Sequence, residues 1–214
     1  MLRLVRAVCR LGWALTLALP GLAHAGAQIY LPLSASVRGA LSRSVSDQAT
    51  PFLAFGTESE ARQWLTAMSK RLAPRIPERL AREEFLVTVH YEAKRAGLDP
   101  QLVLGLIQVE SNFRKHAVSR AGARGYMQVM PFWIDLIGRK DDNLFHLRTN
   151  LRYGCVILRH YLNVEKGDLY RALGRYNGSL GKPEYPTQVV RAWQRDWRYS
   201  TQTADTNPRG DVRG

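Results

Sequence analysis

Apolar residues recur every three to four positions along most of the chain, and this spacing predicts a series of amphipathic helices. A T-x-x-E capping box at Thr57 and an Asp99-Pro100 start support two of them. No segment alternates as a strand over more than about four residues. The pattern therefore predicts an all-α fold, with helices over about residues 58–72, 78–96, 100–110, 131–137, 146–163, from 167 onward, and 189–197.

One position interrupts the apolar stripe of the third predicted helix. This helix places Val103, Leu106 and Ile107 on one face, and the next position on that face is Glu110. A buried ionised carboxylate is costly unless it is paired or protonated, and a carboxylic acid kept neutral near pH 7 suits a general acid. On spacing alone, the favoured interpretation is that Glu110 lies at a frayed helix end and reaches solvent or a salt bridge.

The first residues predict export. A basic start with three arginines precedes an apolar run over residues 11–22, and an A-x-A site follows at 23–25. The apolar run is too short to span a bilayer comfortably, so we expect a signal peptide that is removed after Ala25. A retained anchor is the alternative. The expected protein is periplasmic, without stable membrane insertion after cleavage.

Charge and cysteine content narrow the possible functions. The formal net charge is +13, and loss of the three arginines in residues 1–25 leaves 13 − 3 = +10. Such a charge favours anionic polymers such as cell-wall material or lipid headgroups, whereas dispersed arginines and the export signal argue against nucleic acid. Cys155 would be the remaining cysteine, so no internal disulfide is expected. The histidines are scattered, and we predict no metal and no cofactor.

The chain divides into four predicted parts. Residues 1–25 are the signal peptide, 26–76 a linker and N-terminal helical extension, 77–198 a helical domain, and 199–214 a disordered tail. Within the second part, residues 26–56 are mixed and lack a sustained period, so they are interpreted as a linker or a poorly ordered lead. The tail is polar and contains Asn-Pro and Gly, which disfavours a packed core.

Several short motifs follow Glu110 in order. The sequence E-S-N-F occupies 110–113, G-Y-M-Q-V-M-P occupies 125–131, N-x-x-x-G occupies 150–154, and Y-N-G occupies 176–178. These blocks resemble the family 1 lytic transglycosylases of peptidoglycan, over about residues 80–197. The resemblance implies that 77–198 is an SLT catalytic domain with the lysozyme-like fold of goose-type lysozyme.

The resemblance also implies the roles of six site residues: Glu110, Ser111, Met127, Gln128, Tyr176 and Asn177. Glu110 would be the single catalytic acid and base. Ser111 would help to hold the N-acetyl group of the substrate or the acid, and the Tyr176 hydroxyl would hydrogen-bond the catalytic carboxylate.

The remaining matched residues would shape the sugar cleft. Met127 and Gln128 would line it, and Asn177 would help to form the site beside its tyrosine neighbour. The chain departs from the family pattern at Tyr126, where leucine is usual, at Gly178-Ser179, which stand in place of Ala-Gly, and at Arg175, where alanine is common. These departures leave the matched catalytic positions intact.

The carboxylate count bears on the reaction. Ordinary glycosidases use two carboxylates, yet Glu110 is the only one between Val103 and Pro131. The resemblance implies that the substrate's acetamido group supplies the second function and that Glu110 then deprotonates the C6 hydroxyl, which gives a 1,6-anhydro product. A goose-type lysozyme-like muramidase and a non-catalytic peptidoglycan-binding module remain alternatives. The expected partner is the glycan strand, bound by a monomer, and service to a trans-envelope secretion or conjugation machine stays open.

Overall fold

The computed structural model describes residues 28–46 and 48–200. The predicted signal peptide at 1–25 and the part of the predicted tail beyond residue 200 lie outside these ranges. Within them, all regular structure is helical, apart from two isolated β-bridges in the loop after Glu110. The all-α prediction is therefore confirmed for the described residues. None of the described helices has the length and apolar character that a membrane span requires.

The helices agree closely with the periodicity of the sequence. They are α1 Ala35–Val45, α2 Glu58–Leu72, α3 Arg79–Arg95, α4 Pro100–Ser111, α5 Phe132–Ile137, α6 Leu147–Val164, α7 Leu169–Asn177 and α8 Glu184–Ala192, and α8 continues into a π-helix, Trp193–Trp197. The α8 helix begins five residues earlier than expected. Pro186 falls in its first turn, where a backbone N–H has no partner within the helix, so proline is tolerated there.

Helix α4 lies in the middle of the core. It packs against α3, α8 and the π-helix, and its residues from Leu102 to Ile107 are all buried. A helix that is apolar on all sides is typical of such a central position. Gly105 allows the close packing, because a Cβ there would lie 2.8 Å from the backbone nitrogen of Trp193. The last turn of this buried helix carries Glu110.

The segment before α2 contains a helix that the sequence pattern did not reveal. Helix α1 begins at the N-cap Ser34, whose side chain accepts from the Val37 N–H at 3.3 Å, and it packs against α5 and α6. Val45 is its only buried residue, while Val37 and Leu41 are half-buried. Three apolar positions among serines and arginines are too sparse a stripe to signal a helix. The linker interpretation is therefore wrong for residues 35–45.

A buried ion cluster fastens α1 to the domain. The Glu92 carboxylate on α3 lies 3.2 Å from the Arg148 guanidinium and 3.3 Å from that of Arg152, both on α6. Arg95 lies 3.6 Å from its other oxygen. Arg152 also donates to the Val45 carbonyl at 3.0 Å, which joins the end of α1 to the cluster. The cluster thus connects three helices through one carboxylate.

Candidate active site

The backbone reverses direction sharply just beyond Glu110. Asn112 and Phe113 both adopt left-handed conformations, with φ of 47° and 64°, so the following loop folds back over the end of α4. Asparagine tolerates this region, but a bulky aromatic residue is strained there. Packing offsets the strain, because the Phe113 ring is buried and lies 5.3 Å from the Trp197 ring. The reversal brings residues 114–131 over the candidate catalytic acid.

Glu110 is buried, with 6% of its surface exposed. Burial raises its pKa from 4.5 to about 8, and a hydrogen bond from the Tyr185 hydroxyl to Oε1 opposes part of this shift. Among the described residues, no lysine or arginine contributes to this pKa shift. The carboxyl group is therefore mostly protonated at neutral pH, as a general acid requires. The interpretation of a frayed end reaching solvent or a salt bridge is wrong.

The tyrosine that holds the acid is Tyr185 and not Tyr176. Tyr176, on α7, donates its hydroxyl to the Met127 carbonyl at 2.8 Å. Tyr185 is in the first turn of α8, which packs directly along α4, and this packing brings its hydroxyl to Glu110. The predicted hydrogen bond from Tyr176 to the carboxylate is thus wrong. The Y-P pair at 185–186 was visible in the sequence but suggested no specific role.

Tyr176 nevertheless belongs to the immediate surroundings of the acid. Burial raises its pKa well above the usual value, and the nearby Glu110 charge acts in the same direction. Asn177, its neighbour, is also buried, and its side-chain Nδ2 has no hydrogen-bond partner among the described residues. Its predicted role in shaping the site stays a prediction.

Ser111 and Gln128 brace the loop in this structure. The Ser111 hydroxyl donates to the Tyr126 carbonyl at 2.7 Å. Gln128, with φ of 48°, donates its side-chain amide to the carbonyls of Gly125 at 2.9 Å and Ala117 at 3.1 Å. Both side chains therefore fix the loop over α4. Their predicted contacts with sugar stay predictions.

Met127 is anchored from two sides and fully buried. Its N–H donates to Asn150 Oδ1 at 2.8 Å, and its side chain packs against Gly154, where a Cβ would lie 2.4 Å from the sulfur. Asn150 and Gly154 of the N-x-x-x-G motif on α6 thus hold Met127, and with it the loop, in place. The predicted contact of Met127 with sugar also remains a prediction.

Two of the departures from the family pattern, Tyr126 and Arg175, have structural partners. Tyr126 is buried, and its ring lies 4.9 Å from the Phe85 ring on α3. Arg175, on α7, forms an ion pair with Glu165 in the preceding turn. Neither residue bonds to Glu110. They stabilise the surroundings of the site and leave its acid unchanged.

The arrangement supplies one proton carrier in an apolar setting. Burial and Tyr185 account for the pKa shift of Glu110, and no second acid contributes to it. The described residues contain no group of three or more His, Cys, Asp or Glu side chains that would hold a metal ion. Among the described residues, Glu110 is thus the carboxyl group whose pKa is raised by burial at this site.

Residues 88–190 match the family model of the transglycosylase SLT domain. A membrane-bound lytic murein transglycosylase C of Actinobacillus pleuropneumoniae is 37% identical over 94 residues, which are 43% of this chain and 24% of the relative. A transglycosylase of Enterobacteria phage PRD1 is 32% identical over 111 residues, or 49% of this chain and 41% of the phage protein.

A solved structure is also similar. It is an inactive mutant of the lytic transglycosylase Slt of Pseudomonas aeruginosa, with 22% identity and a TM-score of 0.40. The match covers 66% of this chain and 24% of that protein. The chain spans less than half the length of each relative and of this structure.

Proposed function

We propose that the protein is a peptidoglycan lytic transglycosylase, because residues 88–190 match the family model of the transglycosylase SLT domain. It would cleave the β-1,4 bond between N-acetylmuramic acid and N-acetylglucosamine and leave a 1,6-anhydro-N-acetylmuramic acid end. The observation that carries the proposal is the state of Glu110. It is a buried, mostly protonated carboxyl group on which no second acid acts.

In the first step, protonated Glu110 donates its proton to the glycosidic oxygen of the leaving N-acetylglucosamine. The bond from this oxygen to C1 of the muramic acid breaks. The carbonyl oxygen of the sugar's own 2-acetamido group forms a bond to C1 and carries the developing positive charge, as in substrate-assisted glycosidases. No carboxylate of the protein is needed at C1.

In the second step, ionised Glu110 accepts the proton of the C6 hydroxyl. The C6 oxygen attacks C1 of the same ring and displaces the acetamido oxygen. The 1,6-anhydro ring closes, Glu110 regains its proton, and no water is consumed. Between the steps, the Tyr185 hydroxyl stabilises the carboxylate by donating to it, and its own pKa is raised well above the usual value by burial, so it stays a donor.

The raised pKa suits this double task. An acid with the ordinary pKa of 4.5 would be ionised at neutral pH and unable to start the reaction. A pKa of about 8 keeps the proton available, while deprotonation after the first step still gives a competent base. The same site without a second carboxylate offers no evident base for an attacking water, which disfavours the muramidase alternative.

Glu110→Gln tests the proposal on purified sacculi. We expect the wild type to release muropeptides lighter by one water than hydrolysed ones, and we expect the variant to release none. Glu58→Gln is the matched control, because it makes the same change at an exposed position at the start of α2. Substantial cleavage by Glu110→Gln, or hydrolysed reducing ends from the wild type, would contradict the proposal.

We also propose that the chain acts in the periplasm on glycan strands as a monomer. The basic start, the apolar run and the A-x-A site in residues 1–25 support this, although they lie outside the described residues. Fractionation of cells with mass analysis of the exported protein tests it, and the expected first residue is Gly26. A protein that retains Met1 would contradict the cleavage. Service to a secretion or conjugation machine stays a prediction.

A further inference from the structure

A groove crosses the start of α4, at the opposite end of this helix from Glu110. It consists of two adjoining depressions of about 810 Å³ and 400 Å³, which share Asp99, Gln101 and Tyr199 in their walls. Helix α4 has 12 residues and is therefore about 18 Å long, so the groove is separate from the candidate active site in the last turn. We call it the distal groove and define it by six lining residues: Phe55, Trp64, His90, Gln101, Trp193 and Tyr199.

Two side chains at the floor of the distal groove carry polar atoms without partners. Trp64 and His90 are each 1% exposed. The Phe55 ring stacks on the His90 ring at 4.6 Å between centroids, and the Trp64 ring meets it edge-on at 5.0 Å. Neither the indole Nε1 nor the two imidazole nitrogens have a hydrogen-bond partner among the described residues. Buried polar atoms are normally hydrogen-bonded, so these three atoms indicate a ligand that supplies their partners.

The protonation state of His90 narrows the chemistry of that ligand. Burial lowers the pKa of His90 to about 4, and the nearby Lys94 charge acts in the same direction. The imidazole is therefore neutral at physiological pH and offers one N–H donor and one acceptor nitrogen, to which Trp64 adds a second donor. This set suits hydroxyl groups, which both donate and accept, better than a carboxylate, which only accepts.

The charges around the distal groove are balanced. Its lining contains two acids, Glu60 and Asp99, and two cations, Lys94 and Arg198. Each acid also accepts a hydrogen bond from a backbone N–H at the start of a helix, at 3.1 Å and 2.7 Å. The chain as a whole has a formal net charge of +13, so the groove lacks the excess of cations that would favour an anionic polymer. An uncharged ligand fits this lining best.

Aromatic rings and amide groups line both depressions. Phe55 lies in the larger depression, Trp193 in the smaller, and Tyr199 in the wall that they share, and all three side chains are half-buried. Exposed aromatic faces can pack against the apolar C–H faces of sugar rings, while the amides of Gln101 and Gln194 can bond to hydroxyl groups. Two consecutive depressions suit a chain of linked rings better than a single small molecule.

We propose that the distal groove is a second glycan-binding site, in which sugar hydroxyl groups supply the partners of Trp64 and His90, directly or through one bridging water. The groove holds one stretch of the cell wall while Glu110 acts on another. Two linked sites raise the affinity for a polymer that reaches both, without any new contact at the catalytic acid. The inference rests on the proposed function for the identity of the glycan as peptidoglycan.

Binding is measured by NMR in the full-length, isotope-labelled protein with the Glu110→Gln change, so that no cleavage occurs. The probe is tetra-N-acetylchitotetraose, and the readout is the indole N–H signal of Trp64, identified by its loss in Trp64→Phe. We expect this signal to shift along a saturable curve. Gln101→Ala should weaken the binding by about three- to tenfold through loss of a hydrogen bond, and Tyr199→Ala by about tenfold through loss of ring packing.

Matched variants control for the substitutions themselves. Gln48→Ala and Tyr170→Ala make the same changes at exposed positions outside the distal groove and should leave the curve unchanged. His90→Leu removes both imidazole nitrogens from the floor and should also weaken the binding. If it proves unstable in a thermal melt, Gln101→Ala and Tyr199→Ala carry the test, because they alter half-buried side chains only.

A Trp64 signal that stays in place at saturating tetrasaccharide overturns the inference. Curves for Gln101→Ala and Tyr199→Ala that match those of their controls also overturn it, because the shift would then arise elsewhere. The stem pentapeptide of peptidoglycan is titrated in parallel, and a shift with this peptide but none with the sugar would show a peptide site instead. The outcome is separable from the proposed function, since a wild type without anhydro products would defeat the lyase assignment while saturable binding in the groove still supports the second site.

Discussion

Glu92 and Glu110 are both buried glutamates on neighbouring helices, yet their surroundings differ. Glu92 is 2% exposed and faces the guanidinium groups of Arg95, Arg148 and Arg152. Glu110 is 6% exposed, and the Tyr185 hydroxyl is the only polar side chain that bonds to it among the described residues. A buried carboxylate needs partners to compensate its charge. The first glutamate has them, whereas the second takes up a proton instead.

The comparison separates a structural acid from a chemical one. Burial is nearly equal, so burial alone does not identify the catalytic group. The difference lies in the cations, because Glu92 binds three helices together through arginines and Glu110 is left to exchange its proton. Substitutions of the two glutamates and of the tyrosines near Glu110 test this difference.

Glu110→Gln should lower the rate of sacculus cleavage by at least about ten-thousandfold, because both steps lose their only proton carrier. The amide has nearly the same shape, so the fold should persist. Release of anhydro-muropeptides, followed over time by mass spectrometry, measures the effect. Glu92→Gln, assayed below its melting temperature, should keep most of the activity. Equal losses in both variants would remove the functional distinction between the two glutamates.

The stability of the same variant should depend on pH in a defined direction. The folded pKa of Glu110 is raised from 4.5 to about 8, so the folded state retains a proton that the unfolded state releases in this window. The wild type therefore loses stability relative to Glu110→Gln as the pH rises from 4.5 to 8, by at most about 5 kcal/mol. Urea denaturation of both proteins at pH 5, 6.5 and 8 measures the difference.

The stability of the wild type must be compared with that of Glu110→Gln because His90 changes the stability in the opposite direction as the pH rises. Burial lowers the pKa of His90 to about 4, so the wild type gains stability from this residue as the pH rises from 4 to 6.5. This contribution is common to both proteins and cancels in their difference. A difference that is flat across the window would show that Glu110 is not protonated in the folded state.

Glu92→Gln should lower the free energy of unfolding by about 3 kcal/mol, since it leaves the buried Arg152 guanidinium and the partly exposed ones of Arg95 and Arg148 without their counter-charge. The loss should also loosen α1, because Arg152 holds the Val45 carbonyl at its end. Thermal and urea denaturation measure the stability, and hydrogen exchange in residues 35–45 measures the loosening. Glu58→Gln, in an exposed pair with Arg62, should change stability by less than about 1 kcal/mol. Similar losses of unfolding free energy in the two variants would show that the ion cluster around Glu92 does not stabilise the fold.

Much of this arrangement could be predicted from the sequence, because local signals were strong. The capping box at Thr57 marked the start of α2, and the stripe from Val103 marked the inward face of α4 that carries Glu110. The cation cluster of Glu92 could not be predicted. Two of its arginines, Arg148 and Arg152, lie more than fifty positions away along the chain, and their contact with Glu92 depends on how α3 packs against α6.

The same limit applies to the tyrosine beside the acid. Tyr176 and Tyr185 both lie near the end of the domain, and the resemblance assigned the hydrogen bond to the first. Which hydroxyl reaches Glu110 depends on the packing of α8 along α4, a tertiary feature without a local sequence signal. Only the packed structure distinguishes a tyrosine that donates to the acid from one that donates to a backbone carbonyl.

The smallest expected effect comes from removing the hydroxyl group of each tyrosine in turn. Tyr185→Phe removes the one polar partner of Glu110 and should slow cleavage by about tenfold, because the carboxylate formed after the first step loses its donor. The pKa of Glu110 should also rise further, since this hydrogen bond opposes the effect of burial. The pH–rate profile should therefore move to higher pH. Tyr176→Phe, whose hydroxyl serves the Met127 carbonyl, should leave the position of the profile unchanged even if it slows the reaction. A shift in Tyr176→Phe and none in Tyr185→Phe would restore the assignment that the resemblance implied.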